Sequence, residues 1–407
     1  MLRIREFFGG SASRWFVSTR GVSTGLALAM ALSYTKILGV DKRSVLAFIM
    51  VSALILTFII TSGISLALRN NPPAQIKDEE FFGFLTLILL AGLLVAVLNC
   101  SLLLVYAHLK TDIPGPIYVV CFIYSFLACV TLGFQDALFA IGNIKLATLF
   151  DFTTVVVQIV SLTFFVTIAQ TSLIISVFIA FIFSYLLISF ATAAIFLNSL
   201  RLDFKLIFSG MTRILVLSRN QHLFGIANGL VDRIDRFLIG LILPISFLAK
   251  YSLLSSIISF ARFLPDAAVK LDLLRHHQGR LKRNEILRPS TIIGLFIAGT
   301  GFVIIAQGFL AIVFGQTWLL PIYVGLLFMA QELLRGNYQI NAVRLMAFGG
   351  KSEMSKISLL LIILSISFVT CGTLVFGIWG APAAMILVYL ILTSLVNIKL
   401  KKFSNAN

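Results

Sequence analysis

Apolar runs of about 20 residues follow one another along almost the whole chain, and they constrain its fold more than any motif does. A hydrocarbon core about 30 Å thick needs roughly 20 apolar residues per helix, and none of the runs shows the alternation of a barrel strand. The 407 residues are 59% hydrophobic and 12% charged, outside the range of soluble domains. We therefore predict an all-α, multi-pass (polytopic) membrane protein.

Twelve transmembrane spans are predicted from these runs and the polar connections between them. They cover residues 15–38, 45–68, 81–107, 116–140, 147–168, 172–197, 221–243, 248–269, 290–314, 318–346, 355–377 and 379–398. The first span is longer than the apolar segment of a signal peptide and lacks a small-residue cleavage site, so we interpret it as a retained helix. Lys and Arg concentrate in the N-terminus, the even-numbered connections and the C-terminus, which the positive-inside rule assigns to the cytoplasm.

The net charge of +16 follows from this topology and does not indicate nucleic-acid binding. Basic runs such as residues 275–283 fall in predicted cytoplasmic connections. The four cysteines have no C-x-x-C spacing and the four histidines no H-E-x-x-H motif, so we expect neither a metal site nor a cofactor. The sequence contains no phosphate-binding loop and no nucleophile elbow, so no motif indicates an enzyme.

Two pairs of similar segments indicate an internal repeat. LGVDKRSVLA from Leu38 resembles LPISFLAKYSLL from Leu243, and LFAIGNIK from Leu138 resembles LMAFGGK from Leu345, at offsets of 205 and 207 residues. Because six helices are an even number, each half begins on the same face and the repeat is parallel.

The repeat predicts two six-helix bundles joined by a short connection. We assign residues 1–200 to the first bundle, 201–220 to a cytoplasmic linker and 221–407 to the second bundle. Transporters built from such repeats bind substrate near the membrane midplane between the halves and move one half against the other. Alternating access is the mechanism that this organisation favours.

Three stretches carry a resemblance to a known family. They are YTKILGVDKRSVLAFIMVSALILTFIITSGISLALR, FQDALFAIGNIK and VDRIDRFLIGLILPISFLAKYSLLSSI. Together they resemble the polysaccharide exporters of the multidrug/oligosaccharidyl-lipid/polysaccharide (MOP) superfamily, in particular O-antigen flippases of the Wzx type. Asp235 matches an aspartate in the seventh helix of that family, whereas Pro244 and Ile245 replace its usual glycine-rich turn.

The resemblance implies a MATE/MOP-like fold with two bundles facing across a cavity. It implies a flippase that moves an oligosaccharide on undecaprenyl pyrophosphate, for O-antigen and lipopolysaccharide biosynthesis, from the cytoplasmic to the periplasmic leaflet. The implied location is the bacterial inner membrane, with both termini cytoplasmic. Membrane lipids and other polysaccharide assembly proteins are the further partners it suggests.

Charged residues inside the predicted spans are the candidate functional residues, because a charge at a helix centre costs about 2.5 to 3.5 kcal/mol on insertion scales. Arginines suit a pyrophosphate, since guanidinium pairs with phosphate oxygens through two parallel hydrogen bonds. The candidate substrate ligands are Arg20, Arg262, Arg233, Arg236 and Arg335. The candidate coupling-ion sites or structural ion-pair partners are Asp232, Asp235, Asp266, Glu332 and Asp136.

The same charges also fit a purely structural interpretation, in which they pair and fix helix packing. Helical spacing predicts pairs within spans 7, 8 and 10, such as Asp232 with Arg236 and Glu332 with Arg335. Arg20 has no acidic neighbour within a turn, and Arg262 lies near Pro265, which loosens a helix. We therefore rank these two arginines first as phosphate ligands.

Two other functions remain open at this point. One is a cation-coupled multidrug exporter of the same superfamily, which the several intramembrane arginines disfavour because they suit an anion better. The other is a membrane polymerase or acyltransferase acting on lipid-linked sugars. Such an enzyme generally needs a sizeable outer loop for its acid and base groups, and the odd-numbered connections are all short.

Overall fold

A computed structural model describes residues 11–69, 78–141, 143–167, 172–199, 204–258, 289–347 and 350–405. In these ranges the structure contains twelve α-helices, two short 3₁₀-helices and no strand. The α-helices are α1 Ser11–Arg69, α2 Asp78–Lys110, α3 Gly115–Ala140, α4 Ile144–Thr167, α5 Leu173–Ser199, α6 Phe204–Val231, α7 Ile234–Ile242, α8 Ile245–Ile258, α9 Pro289–Phe314, α10 Ile322–Ala347, α11 Lys351–Phe376 and α12 Gly380–Asn405. The predicted all-α fold with about twelve helices is confirmed.

Several helices have the length and composition of membrane spans. Six helical segments in the described ranges are long and apolar enough to cross a bilayer. Two of them, Ser18–Leu68 and Ser352–Lys402, have 51 residues each, enough for two crossings of about 20 residues. Large apolar side chains such as Phe190 and Ile312 point outward, as they do where lipid covers a surface. The chain is a multi-pass membrane protein.

The first two predicted spans form one kinked helix instead of two helices joined by a loop. Gly39 interrupts α1 with φ of 72°, a conformation that glycine adopts without a steric cost. The helix resumes at once, so the predicted connection of several residues is in fact a single-residue joint. The polar residues that suggested a loop, from Val40 to Ser44, belong to the next helical turn.

Predicted span 7 is broken where continuity was expected. Helix α6 ends at Val231, Asp232 and Arg233 form a turn, and α7 begins at Ile234. Helix α6 also begins at Phe204, so most of the predicted linker is helical. A hydrophobic run predicts that a segment lies in the membrane, but it does not predict a local break in the helix within that segment.

The contacts divide the chain into two compact units. The first comprises Met1–Leu38 and Val45–Leu230, and the second comprises Gly39–Ser44 and Val231–Asn407. This division differs from the predicted one, because α6 joins the first unit and the joint of α1 joins the second. The repeat relationship between two bundles stays a prediction.

Helix α6 belongs to the first unit because glycines let it approach neighbouring helices closely. A Cβ atom added at Gly229 would lie 2.2 Å from Phe58 Cγ, and one at Gly225 would lie 2.5 Å from Ser62 Cβ. Both partners are on the second half of α1. Small residues four positions apart are a common device for helix contacts in membranes, where the hydrophobic effect does not drive association.

The end of the α1 segment that belongs to the second unit, residues 39–44, is buried. Arg43 is 3% exposed and Ser44 is fully buried. Ser44 Oγ donates a hydrogen bond of 2.6 Å to the carbonyl oxygen of Ile245, the first residue of α8. The similar segments that begin at Leu38 and Leu243 therefore contact each other through this hydrogen bond.

Within the second unit, α7 packs against α8 and α11, and α10 packs against α8, α9, α11 and α12. Within the first unit, α3 packs against α2, α4 and α5. Polar residues also connect these helices: buried Asn99 on α2 donates hydrogen bonds to Ser125 Oγ on α3 and to the Ile49 carbonyl on α1. The helices that carry the intramembrane charges are thus held in place by both apolar and polar contacts.

Candidate functional site

Charged residues collect around the interruption between α6 and α7 in the second unit. We call this group the helix-break cluster and define it as Asp232, Arg233, Asp235, Arg236, Tyr251, Glu332 and Arg335. The turn, α7, α8 and α10 supply its members. Non-helical backbone at membrane depth is tolerated where protein or water satisfies it, and broken helices of this kind line the binding sites of many transporters.

Arg335 of α10 anchors the turn through the carboxylate of Asp232. Its Nε atom donates to Asp232 Oδ1, and its Nη2 atom donates to Asp232 Oδ2 at 2.6 Å. Its Nη1 atom also lies 3.5 Å from Glu332 Oε2, so the predicted pair within α10 is present. With 6% of its side chain exposed, Arg335 is committed to two carboxylates. The fork geometry is the strongest arrangement available to an arginine and a carboxylate.

Asp235 is the most deeply buried acid of the cluster, at 1% exposure. The Tyr251 hydroxyl on α8 donates to Asp235 Oδ2 at 2.8 Å. The Arg236 backbone N–H donates to Asp235 Oδ1 at the same distance. Tyr251 is itself fully buried and was not among the predicted site residues. Nothing in its sequence context distinguishes it from a packing tyrosine.

One buried side-chain donor of Arg236 makes no hydrogen bond in the described part of the chain. Its Nη2 atom donates to the backbone carbonyl of Asp232, and its Nε atom lies 3.7 Å from Asp235 Oδ1. This Nε atom is buried and has no hydrogen-bond partner among the described residues. The predicted side-chain pair between Asp232 and Arg236 does not form, because the turn at Asp232 removes the helical spacing on which that prediction depended.

The cluster as a whole carries no formal excess charge. Its three acids face three arginines, the third being Arg233, whose Nη1 atom lies 3.9 Å from Asp232 Oδ2. A neutral set of paired charges is what helix packing alone would require. The Nε atom of Arg236 lies within ion-pair distance of Asp235 but makes no hydrogen bond, so it is the donor of the cluster that packing satisfies least.

The first unit holds a second pair of intramembrane charges. Arg20 on α1 pairs through Nη1 with Asp151 Oδ2 on α4, although 131 residues separate them. The sequence shows no acidic neighbour within a turn of Arg20, and the partner comes from another helix. The side chains are 33% and 17% exposed, so this pair is more open than the pair of Arg335 and Asp232.

The remaining candidates are more dispersed. Asp136 is half-buried near the end of α3, whereas Arg262 and Asp266 lie outside the described residues. No group of three or more His, Cys, Asp or Glu residues could hold a metal ion in the part of the chain that the structure describes. The structure thus brings Asp232, Asp235, Arg233, Arg236, Glu332 and Arg335 together within the second unit, and Arg20 belongs to the first unit.

No protein-family profile and no curated protein matches the chain. Solved structures do match it. The lipid II flippase MurJ, in an inward closed conformation, matches at 12% identity over 95% of this chain and 87% of that chain, with a TM-score of 0.73. A eukaryotic MATE transporter matches at 13% identity over 97% of this chain and 97% of that chain, with a TM-score of 0.68. A multidrug resistance MATE family transporter of the MOP superfamily, in an inward-facing conformation, matches at 12% identity over 97% of this chain and 99% of that chain, with a TM-score of 0.62. The chain has the fold of the MATE and MOP-superfamily transporters.

Proposed function

We propose that the chain is a flippase that moves a polyprenyl-pyrophosphate-linked oligosaccharide from the cytoplasmic to the periplasmic leaflet by alternating access. The oligosaccharide would be an O-antigen unit or a similar surface polysaccharide unit, and the carrier undecaprenyl pyrophosphate. One observation carries the proposal. The chain shares its fold with a lipid II flippase over 95% of its length, and its apolar helices contain arginines.

The arginines favour an anionic head group. Guanidinium stays charged at any accessible pH and matches phosphate oxygens in geometry. Arg20 is one-third exposed, and Arg236 has a buried donor without a hydrogen bond in the described part of the chain. Arg335 and Arg233 face carboxylates of the cluster and rank lower as ligands. Arg262 stays a candidate on its sequence context alone.

The proposed location is the bacterial inner membrane, with both termini in the cytoplasm. The head group would cross through the protein while the polyprenyl tail stays in the surrounding lipid. No bond of the substrate is made or broken, so the proposed protein is not an enzyme. Other polysaccharide assembly proteins would deliver and receive the lipid-linked unit.

Reconstituted protein can test the transport step directly. A fluorescent polyprenyl-pyrophosphate-linked N-acetylglucosamine in proteoliposomes reports leaflet exchange, because dithionite quenches only the probe in the outer leaflet. We expect the wild type to exchange the probe, and Arg20→Ala and Arg262→Ala to slow exchange about tenfold or more, as for the loss of a charge-assisted contact. Arg213→Ala is the control, since Arg213 is 47% exposed and lies 3.7 Å from Glu80.

Two results would contradict different parts of the proposal. If the wild type leaves the probe in its original leaflet, the chain is not a flippase for polyprenyl pyrophosphates. If Arg20→Ala and Arg262→Ala both exchange the probe at the wild-type rate, the chain moves such lipids without the proposed phosphate contacts.

A cation-coupled multidrug exporter is the second candidate function. The acids Asp235 and Glu332 are 1% and 3% exposed, and buried carboxylates suit a cation or proton pathway. A solved multidrug transporter also shares the fold. Overexpression in a drug-sensitive host separates the candidates: resistance to cationic dyes that Asp235→Asn abolishes would favour the exporter, and unchanged sensitivity would exclude it.

A further inference from the structure

We propose that Asp151 is a specificity residue of the site at which Arg20 binds the diphosphate of the substrate. The Asp151 carboxylate pairs with the Arg20 guanidinium when no substrate is bound, and the diphosphate then displaces this carboxylate. This inference rests on the proposed function, because it takes Arg20 as a ligand of the pyrophosphate. In the described part of the chain, Asp151 is the acid that pairs with Arg20.

The exposure of the pair distinguishes it from a structural ion pair. Arg20 is 33% exposed and Asp151 is 17% exposed, whereas Arg335 is 6% exposed and contacts both Asp232 and Glu332. An incoming group therefore has access to Arg20 without unpacking a core. Breaking the Arg335 contacts would separate buried charges from their closest partners, which is costly.

The chemistry of the two anions makes the exchange selective. A carboxylate and a phosphate group both offer two oxygens that match the guanidinium fork. A diphosphate carries more negative charge than the single charge of Asp151, so it can displace the carboxylate. A neutral or cationic solute cannot displace the Asp151 carboxylate from Arg20. Asp151 therefore prevents such solutes from binding to Arg20, and specificity often requires a feature that disfavours the wrong ligand.

The position of the pair suits the loading step. Arg20 lies within the first three turns of α1, and Asp151 lies about two turns from the start of α4. Both helices begin on the predicted cytoplasmic side. The diphosphate of a carrier in the cytoplasmic leaflet lies at the level of the lipid head groups, so it meets Arg20 within a few turns of that surface.

Inorganic pyrophosphate binding to the purified full-length protein tests the exchange. Calorimetry should show that Asp151→Asn binds pyrophosphate about two- to fivefold more tightly than the wild type, because no carboxylate has to be displaced. Asp151→Glu should keep the wild-type affinity. Glu80→Gln is the matched control. Glu80 lies 3.7 Å from Arg213, another arginine of the first unit, so its loss should leave the pyrophosphate affinity unchanged. In an Arg20→Gln background, Asp151→Asn should have no effect.

Transport kinetics provide a readout that loss of a structural contact would not give. With the fluorescent polyprenyl-pyrophosphate probe, Asp151→Asn should lower both KM and kcat, since the returning carboxylate no longer helps to release the head group. Loss of packing alone would lower kcat and the thermal stability without tighter binding.

The outcomes separate this inference from the proposed function. Pyrophosphate affinity that is unmeasurable in the wild type, or unchanged in Asp151→Asn, overturns the role of Asp151 even if the protein exchanges the lipid probe. Tighter binding by Asp151→Asn that depends on Arg20 supports the role of Asp151, even if the wild type fails to move the probe and the flippase proposal is wrong.

Discussion

At the scale of single residues, the two aspartates beside the helix break have different partners. Asp232 receives the fork of Arg335, whereas Asp235 receives a tyrosine hydroxyl and a backbone N–H. The sequence predicts that both are expensive intramembrane charges, but it cannot tell which partner each one has. The side-chain partners lie on other helices, Arg335 on α10 and Tyr251 on α8.

Removing one hydroxyl should show how much Asp235 depends on Tyr251. We expect Tyr251→Phe to lower the free energy of unfolding by about 1 to 3 kcal/mol, because a buried carboxylate loses a hydrogen bond. Tyr106 is equally buried, but its hydroxyl has no hydrogen-bond partner among the described residues, so Tyr106→Phe should change stability little. Unfolding of the detergent-solubilised protein by heat or SDS measures both. Equal effects would show that the hydrogen bond contributes nothing.

The pair of Asp232 and Arg335 should behave as a unit. Asp232→Asn and Arg335→Gln should each lower stability by about 3 kcal/mol, the lower end of the range for breaking a buried pair, since each removes the closest partner of a charge that keeps a second one. The double variant should be less destabilised than the sum of the two single variants, as expected for residues in contact. Additive effects in the same unfolding assay would mean that the two side chains do not interact.

The candidate site was only partly predictable, for a geometric reason. The pair of Glu332 and Arg335 follows from helical spacing and is present. The pair of Arg20 and Asp151 joins residues on different helices, which no local pattern reports. The sequence did contain a usable signal there: neither charge has an oppositely charged residue within one turn of its own helix.

At the scale of helices, the hydrophobic pattern located most elements well. Predicted span 4, residues 116–140, corresponds to α3 at Gly115–Ala140, and predicted span 9, residues 290–314, corresponds to α9 at Pro289–Phe314. Errors arose at Gly39, where a helix continues through polar residues after a kink, and at Asp232, where a helix breaks inside a predicted span. Four polar residues after Gly39 predict a loop where the helix in fact resumes, whereas a two-residue turn at Asp232 is too short to interrupt an average over about 20 residues.

Packing between α6 and α1 should depend on the absence of side chains. We expect Gly229→Ala to lower stability by about 1 to 3 kcal/mol, because the new methyl group would overlap the Phe58 ring. Gly308 lies in α9 with no atom within 4 Å of an added Cβ atom. Gly308→Ala should therefore raise stability slightly, by up to about 1 kcal/mol, through helix propensity. The opposite order in thermal unfolding would show that α6 does not contact α1 closely.

At the scale of the whole molecule, orientation in the membrane follows from the distribution of positive charge. Asp112 lies between α2 and α3 on the predicted outer side, and Lys145 lies in the first turn of α4 on the predicted inner side. Both are exposed. In a variant without the four native cysteines, Asp112→Cys should react with a membrane-impermeant maleimide in intact cells, and Lys145→Cys only after permeabilisation. The reverse pattern would invert the predicted topology.

The joint of α1 has a consequence for dividing the protein into fragments. Residues 39–44 belong to the second unit, although the chain on both sides of them belongs to the first. A fragment ending at Leu230 would carry Arg43 and Ser44 away from the environment that buries them, and a fragment beginning at Val231 would leave the Ile245 carbonyl without the Ser44 hydroxyl. No single cut releases either unit whole, so the two fragments would have to be produced together for each to be completed by the other.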